Sequence, residues 1–343
     1  MNEAGLNDAP ARSTETFVQL DTSFQTLARL GTVLAFIVVI VGAWVRLTDA
    51  GLGCPDWPGC YGQLVAPDSA TSQAELAAVY PDRPLDSGKA LREMLHRYLA
   101  TTLGFVCLLL AGLAWFNRSD PQQPTRMPFL LLGVVIFQGL LGMWTVTLLL
   151  KPVIVMAHLL GGLTTLSLLF WLTRRRAVRV SMPVASGALA LAAIVVLVLQ
   201  ISLGGWTSAN YAALACPDFP TCQTRWWPPV VDFREGFVLW RGLGVDYEGG
   251  ILDNPARVAI HFTHRLGAIV AATVIGLLGW RLSRQAVTRP DGIAILVALA
   301  VQLLLGVSVV LLGVPLAVAV GHNGVAALLL LTVLNANQRI NQS

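Results

Sequence analysis

Four histidines are the residues of this sequence with the clearest capacity for chemistry. The chain contains five histidines, and four of them, His96, His158, His264 and His322, recur at matching places near the starts of apolar stretches. One histidine inside a membrane span can serve as a core residue or a helix–helix hydrogen bond, but four at equivalent places favour a ligand role. Paired imidazoles on facing helices suit the two axial positions of a haem iron. Zinc fits less well, because two histidines per site leave a tetrahedral ion short of ligands.

Two cysteine motifs are the second reactive feature. CPDWPGC runs from Cys54 to Cys60, and CPDFPTC runs from Cys216 to Cys222, 162 positions later. Five intervening residues with two prolines can bring the cysteine Cα atoms within the roughly 4.4–6.8 Å of a disulfide. On the outer face of a membrane, a structural disulfide is the commoner outcome, and a redox-active dithiol is the alternative. Cys107 has no partner in sequence and is predicted to be an inert buried thiol.

An acidic residue distinguishes the first half of the chain from the second. Glu93 stands three residues before His96, where the second half has His261 three residues before His264. Because residues i and i+3 share a helix face, we expect Glu93 to project towards whatever His96 binds. There a buried carboxylate could take or give a proton, whereas His261 receives no assigned role. The alternative for Glu93 is an ion pair with one of three arginines: Arg46, Arg92 or Arg97.

Any haem in this chain would be held by non-covalent contacts and axial ligands alone. The sequence contains no CxxCH motif, so c-type covalent attachment is excluded. Haem propionates would suit the forked guanidinium groups near the outer ends of the apolar stretches. Four arginines are placed for this contact: Arg46, Arg97, Arg257 and Arg265.

The elements that must position these residues are membrane-spanning helices. Hydrophobic residues make up 55% of the chain and charged residues only 12%, against roughly a quarter charged in a soluble domain. Runs of about 20 apolar residues, enough to cross the hydrocarbon layer, recur eight times and predict an all-α integral membrane protein. The predicted spans are 27–45, 92–115, 127–149, 153–172, 183–205, 256–280, 292–313 and 316–335.

The distribution of arginine predicts the orientation of the spans. Short loops rich in Arg stay in the cytoplasm, which places both termini there and both long loops outside. The net charge of +4 is therefore a topology signal and not a nucleic-acid signature. The predicted segments are a cytoplasmic tail 1–26, a bundle 27–172 with outer loop 47–91, an Arg-rich linker 173–182, a bundle 183–335 with outer loop 206–255, and a cytoplasmic tail 336–343.

The two halves of the chain are related as a repeat. Residues 42–60 align with 204–222, and 93–104 align with 261–272, which superposes the cysteine motifs and the first histidine of each half. QGLLG lies twenty residues before His158, as QLLLG does before His322. Four spans per half return the chain to the same side, so we predict two parallel-repeated four-helix bundles.

A chain with GLGCPDWPGC, ExxHR and a second histidine in each half resembles the haem A synthase family across about residues 27–335. The resemblance implies an oxidoreductase that converts the C8 methyl of haem O to the formyl group of haem A by successive hydroxylations, for cytochrome oxidase assembly. It also implies a disulfide in the first outer loop that is linked to activity. The implied site has Glu93 as the catalytic carboxylate, His96 and His158 as ligands of haem O, and His264 and His322 as ligands of a haem b cofactor.

The resemblance carries expectations about partners and location. Haem O would be the substrate, with its farnesyl tail in the lipid, and haem O synthase and cytochrome oxidase assembly proteins would be partners. The protein would lie in the bacterial inner membrane, and a homo-oligomer stays open. Three other classes compete: a di-haem electron carrier, which would not need Glu93; an outer-face thiol–disulfide oxidoreductase, which would need Cys54 and Cys60; and a transporter, which would need broken spans.

Overall fold

A computed structural model describes residues 9–68, 73–174, 180–182 and 184–342. Two short helices and two three-residue strands accompany eight long helices in this part of the chain. The helices are α1 (Ala9–Leu47), α2 (Gln73–Val79), α3 (Ser87–Phe116), α4 (Arg126–Thr147), α5 (Pro152–Thr173), α6 (Val184–Ala209), α7 (Phe233–Gly236), α8 (Asn254–Ser283), α9 (Arg289–Leu311) and α10 (Leu316–Arg339). The strands β1 (Val180–Met182) and β2 (Ile340–Gln342) pair in parallel, and this pair was not predicted.

All eight long helices are long and apolar enough to cross a membrane, which confirms the predicted number of spans. Their limits differ from the predicted ones by five residues at most. Large apolar side chains such as Leu30, Leu108, Leu199 and Leu304 are exposed on the outside of the helices. This exposure is expected in lipid, because apolar side chains can face the hydrocarbon while the helix satisfies its own backbone hydrogen bonds.

Two predicted segments meet the described structure only in part. The predicted tail 1–26 is helical from Ala9 onwards, and the candidate first span begins at Thr22. Residues 1–8 lie outside the described part of the chain. Of the predicted linker 173–182, Arg174 ends α5, while Arg175, Arg176 and Arg179 lie outside the described residues.

The helices of each half pack in the same cyclic order. In the first half, α1 contacts α3 and α5, and α4 lies between α3 and α5; in the second half, α6 contacts α8 and α10, and α9 lies between α8 and α10. The halves meet through α1 against α10 and through α5 against α6 and α10. This order agrees with two four-helix bundles, while the duplication and the domain limits stay predictions. Small and aliphatic side chains fill the shared core, as is usual where lipid supplies no hydrophobic drive.

Helix caps fix where the two histidine-bearing helices α3 and α8 begin. The Asp86 carboxylate accepts a hydrogen bond from the Lys89 amide at the start of α3, and the Asp253 carboxylate accepts one from the Ala256 amide at the start of α8. Such caps satisfy amides that have no partner within the helix. They set the rotational phase of the first turns, and therefore the direction in which His96 and His264 point.

Candidate functional site

Each of the four repeated histidines lies against a glycine on the preceding long helix. The histidines stand in the first three turns of α3, α5, α8 and α10. An ideal Cβ added to the facing glycine would lie 3.0–3.5 Å from the Cε1 atom of the imidazole. The pairs are Gly42 with His96, Gly142 with His158, Gly204 with His264, and Gly306 with His322. At Gly42, Gly204 and Gly306 the missing side chain is therefore what lets the ring approach the neighbouring helix, whereas a Cβ at Gly142 would make an ordinary contact.

The histidines of the first half face each other. The ring centres of His96 and His158 are 6.3 Å apart, with an angle of 78° between the ring planes. Because an imidazole nitrogen lies about 2.0 Å from a bound transition metal, this separation leaves room for one metal atom between the rings. In the second half, His264 and His322 occupy the corresponding places on α8 and α10, each against its facing glycine. Each half therefore offers one pair of imidazoles.

The donor set of these pairs fits a haem better than a free metal ion. Within the described residues, no three His, Cys, Asp or Glu side chains come together as a metal site. A metal bound between two imidazoles must therefore bring its remaining ligands, as haem iron does with its porphyrin. The Nδ1 atoms of His96, His158 and His322 are buried without a hydrogen-bond partner, so each of these rings keeps one nitrogen outside the hydrogen bonds of the core.

Glu93 is buried, with 5% of its surface exposed, and both of its carboxylate oxygens have partners. Arg97 donates a hydrogen bond from Nη2 to Oε1 at 2.5 Å, and the backbone amide of Cys54 donates one to Oε2 at 2.9 Å. The structure therefore shows the ion pair with Arg97 that the sequence left as an alternative. Glu93 connects the His96 helix to the first cysteine loop, and its part in proton transfer stays a prediction.

His261, which had no role from sequence, takes the place of Glu93 in the second half. Its Nδ1 atom lies 3.2 Å from the backbone amide of Cys216, and its Nε2 atom lies 3.3 Å from Nε of Arg265. One ring nitrogen therefore faces the second cysteine loop, and the other faces Arg265 on the same helix. This arrangement favours His264 over His261 as the ligand of any group bound in the second half.

Both cysteine pairs form disulfides. The Cα atoms are 4.7 Å apart for Cys54–Cys60 and 4.6 Å apart for Cys216–Cys222, within the range expected for the bond. All four residues are at most 1% exposed. Cys107 is a free, buried thiol, as the sequence predicted. Because thiol–disulfide exchange needs access to the sulfur atoms, this burial agrees better with a structural bond than with an exchanging dithiol.

One aspartate in each cysteine loop shapes the turn that closes it. The Asp56 carboxylate accepts hydrogen bonds from the amides of Tyr61 at 2.6 Å and Gly62 at 2.8 Å. Asp218 accepts the corresponding bonds from Gln223 at 2.7 Å and Thr224 at 2.9 Å. A hydrogen bond from the Thr221 hydroxyl, together with these amides, lowers the pKa of Asp218 below its ordinary value. The two loops therefore share one backbone design.

Two of the arginines predicted to bind propionates hold these loops. Arg97 donates from Nη1 to the carbonyls of Asp56 at 3.0 Å and Gly59 at 2.5 Å. Arg265 donates to the carbonyls of Asp218 at 2.8 Å, Thr221 at 2.7 Å and Cys216 at 2.6 Å. These contacts fix the loops against the N-terminal turns of α3 and α8.

A third predicted propionate ligand, Arg46, joins the two halves. Its Nη2 atom donates to the carbonyl of Ser208 at 2.5 Å, and its guanidinium lies 4.1 Å from the ring centre of Tyr211. The Tyr211 hydroxyl donates to the Asp49 carboxylate at 3.0 Å. Ser208 and Tyr211 are the repeat equivalents of Arg46 and Asp49, so equivalent positions of the two halves meet here.

The arginines with uncommitted donors are a different set. The Nε atoms of Arg257 and Arg92 are buried and lack a hydrogen-bond partner among the described residues. Arg257 was predicted to contact a propionate, whereas Arg92 was considered only as an ion-pair partner of Glu93. Arg92 lies one helical turn before His96, and that spacing was the available signal. Propionate binding by any of these arginines stays a prediction.

The long loops of the two halves, 47–91 and 206–255, contact each other. Arg83 of the first loop contacts the carboxylates of Asp246 at 2.6 Å and Glu248 at 2.9 Å in the second. Lys151, which is buried at the start of α5, donates to the carbonyls of Arg241 at 2.9 Å and Gly242 at 3.0 Å. The second loop is thereby fastened over the end of the first bundle, where it can exclude water from the histidines below.

Three glutamines next to the histidines were missed as functional residues. Gln138 donates from Nε2 to the backbone carbonyl of His158 at 2.9 Å, and Gln200 donates to that of His264 at 3.0 Å. The Nε2 atom of Gln302 lies 3.3 Å from the ring Nε2 of His322. Two of these glutamines were used only to align the repeats. The signal was present in the sequence, because each glutamine stands four residues before the glycine that faces the histidine.

Fold and site together define a class: an eight-helix membrane protein with a pair of imidazoles in each half and disulfide-closed loops above them. The chain belongs to the COX15-CtaA family, whose model, described as cytochrome oxidase assembly protein, matches residues 25–334. The family expectation drawn from the sequence is thereby confirmed.

Curated relatives carry one name across most of the chain. The protein is 43% identical over 317 residues to a heme A synthase of Shewanella oneidensis, covering 91% of this chain and 94% of the relative. It is 32% identical over 343 residues to a heme A synthase of Novosphingobium aromaticivorans, covering 88% and 91%. A heme A synthase of Rhizorhabdus wittichii is 29% identical over 331 residues, covering 90% and 92%.

Proposed function

We propose that this protein is a haem A synthase, an oxidoreductase that converts the C8 methyl of haem O to a formyl group by successive hydroxylations. The observation that carries the proposal is the pair of facing imidazoles in a chain 43% identical to a heme A synthase over 91% of its length. Four half-buried histidines at repeated positions suit two haems. The buried disulfides give less support to a thiol oxidant, since their sulfur atoms lack access.

The two halves are assigned different haems. His96 and His158 would hold the substrate haem O, and His264 and His322 would hold a haem b cofactor, which when bound supplies one-electron redox chemistry. The assignment is supported by Glu93, a carboxylate that the first half has where the second half has His261. Proton-coupled oxidation of a methyl group needs a proton acceptor, whereas a bound electron-transfer haem does not.

The contacts of Glu93 leave it able to accept a proton. Each carboxylate oxygen carries two lone pairs, and each uses one of them, for Arg97 or for the Cys54 amide. These two contacts leave acceptor capacity on the carboxylate for a proton lost during hydroxylation. Arg97 also holds the loop carbonyls, so the carboxylate is fixed in position relative to the His96 helix.

The proposed location is the bacterial inner membrane with both termini in the cytoplasm. Support comes from the arginines of the short loops and from the two disulfides, which persist in an oxidising compartment outside the cytoplasm. Haem O synthase would deliver the substrate, and cytochrome oxidase assembly proteins would receive the product.

The direct test is conversion by the purified protein. Protein prepared with haem O in detergent or nanodiscs is incubated with an electron acceptor under air, and the haems are extracted and separated by chromatography. We expect haem A to appear as haem O disappears, while haem b stays constant in amount. Retention of haem O with no haem A under all acceptors tested would reject the proposed activity and favour a di-haem electron carrier.

The glycine that faces His264 provides a separate test of the cofactor site. A Cβ at Gly204 would lie 3.1 Å from Cε1 of His264, which is tight enough to push the ring by a few tenths of an ångström. We expect Gly204→Ala to lower the haem b content of purified protein several-fold, because an axial ligand is displaced from its position. Haem b is measured by extraction and by the reduced-minus-oxidised spectrum.

The matched control for this variant is Gly139→Ala. Gly139 also lies in a span, on α4, and an added Cβ there would meet nothing within 4 Å. Full haem b content is expected for Gly139→Ala. Equal haem b content in the two variants would show that the ring of His264 is not held against α6 in the way proposed.

A further inference from the structure

Three of the four proposed haem ligands have a glutamine beside them, and the fourth does not. Gln138, Gln200 and Gln302 each stand one helical turn before the glycine that faces the histidine. The corresponding position before Gly42, which faces His96, is Val38. The difference is not explained by membrane burial alone, since all four positions lie within candidate spans.

Space for two of these glutamines is kept open by a second glycine. A Cβ on Gly161, three residues after His158, would overlap the Gln138 side chain, and a Cβ on Gly267, three residues after His264, would overlap that of Gln200. This space lets the amide reach the histidine's backbone carbonyl. Gln200 also contacts the ring, since its Nε2 atom lies 3.0 Å from Nδ1 of His264. Behind His322 the place of the second glycine is occupied by Val325, and Gln302 contacts only the ring. A glutamine therefore contacts its histidine with or without the second glycine.

The three glutamines share an unsatisfied acceptor. The Oε1 atoms of Gln138, Gln200 and Gln302 are buried and have no hydrogen-bond partner in the described part of the chain. A buried acceptor without a donor is costly. The neighbouring groups that could donate to it are the imidazole N–H groups of the histidines. A metal-bound imidazole carries a proton on its other nitrogen and nearly always donates it to an acceptor. The amide Nε2 lies 3.0 Å from Nδ1 of His264 for Gln200 and 3.3 Å from Nε2 of His322 for Gln302. A rotation of the amide that exchanges Nε2 and Oε1 would therefore present an acceptor to the ring.

His96 lacks this support. Its Nδ1 atom is buried without a partner, as are those of His158 and His322, but Val38 offers no acceptor at the place where the other three sites have a glutamine. Loss of such a partner typically costs about 10–100-fold in metal affinity. The weakest of the four ligands therefore lies in the half that, on the proposed function, must release its haem after every turnover, whereas the cofactor half must keep its own.

We propose that Gln138, Gln200 and Gln302 are positioning residues that strengthen three axial ligands, and that Val38 leaves His96 as the ligand from which product haem detaches. This inference rests on the proposed function, because it assigns the exchanging haem to the first half. It also assigns different roles to the two ligands of that haem: His158 stays bound to the iron while His96 dissociates from it.

The test measures haem release from purified full-length protein to an excess of apomyoglobin, with each released haem identified by chromatography. In the wild type, we expect haem O or haem A to leave faster than haem b. Val38→Gln should slow release from the first half by about tenfold, and Val38→Met, an apolar change of similar length, should leave it unchanged. Gln200→Met should speed haem b release by about tenfold.

The midpoint potential of the first-half haem provides a readout independent of turnover. In Val38→Gln, a hydrogen bond from the imidazole to the introduced amide oxygen would raise ligand basicity, so the potential should fall in this variant and not in Val38→Met. Equal release rates and equal potentials in these two variants would overturn the inference. If Val38→Gln does not accumulate in the membrane, the test rests on Gln200→Met. An unchanged rate of haem b release from Gln200→Met would then reject the glutamines as positioning residues.

These outcomes are distinguishable from failure of the proposed function. A wild-type protein without a haem O or haem A pool would reject the synthase assignment itself. A wild-type protein that holds both pools, with release unchanged in Val38→Gln and Gln200→Met, would reject only the role of the glutamines.

Discussion

Glu93→Gln is expected to lower haem A formation by a factor of about 10²–10⁴, the usual contribution of a general acid or base, while both haem pools stay bound. The amide of the substituted residue keeps one oxygen that can accept the hydrogen bond from the Cys54 backbone amide, which is 2.9 Å long in the wild type. The contact with the loop is therefore retained. The charge and the proton-accepting lone pairs facing Arg97 are lost. Haem A formation is followed by chromatography of extracted haems, and haem O should accumulate in the variant.

The second half of the chain supplies a matched control for Glu93. His261 makes the corresponding contacts, to the Cys216 amide and to Arg265, so His261→Gln disturbs the second loop as Glu93→Gln disturbs the first. We expect His261→Gln to keep most of the haem A formation. Similar losses in the two variants would mean that Glu93 acts only by holding its loop, which is the ion-pair interpretation.

His264→Ala is expected to lower the haem b content of the purified protein at least about tenfold, because even the loss of a residue behind a ligand costs that much. Haem A formation should fall with it. His261→Ala should retain haem b, since both ring nitrogens of His261 face the cysteine loop and Arg265. Haem extraction and the reduced-minus-oxidised spectrum measure both variants.

The pair of variants also decides which histidine is the ligand. Haem b lost from His261→Ala and kept by His264→Ala would contradict the assignment made from the structure. The two residues lie three positions apart on α8, so both substitutions perturb the same part of one helix and differ in which imidazole is removed.

Much of the architecture was predictable because it depends on local properties of the chain. Span length and apolarity respond to the thickness of a bilayer, and Pro152 at the start of α5 marks a helix entry directly. The repeat was readable because the two cysteine motifs keep the same spacing. The helical extension of α1 back to Ala9 was missed, since the polar residues of that segment carry no membrane signal.

The candidate site was predictable in residue type but not in contacts. Helix periodicity placed Glu93 on the face of His96, but it could not show that the carboxylate extends to the Cys54 amide, because the loop reaches that point only through its tertiary fold. The sequence named Arg97 as a possible partner of Glu93, but it could not show that the same guanidinium also holds the loop carbonyls. The glutamine contacts depend on which helices are neighbours, and sequence spacing alone does not give that order.

The measurement that tests the account most directly is the haem content and conversion of wild-type protein supplied with haem O. The account predicts two distinct pools, a constant haem b pool and a haem O pool that is converted to haem A by the wild type and not by Glu93→Gln. Two haem b per chain, with no haem A formed, would contradict it.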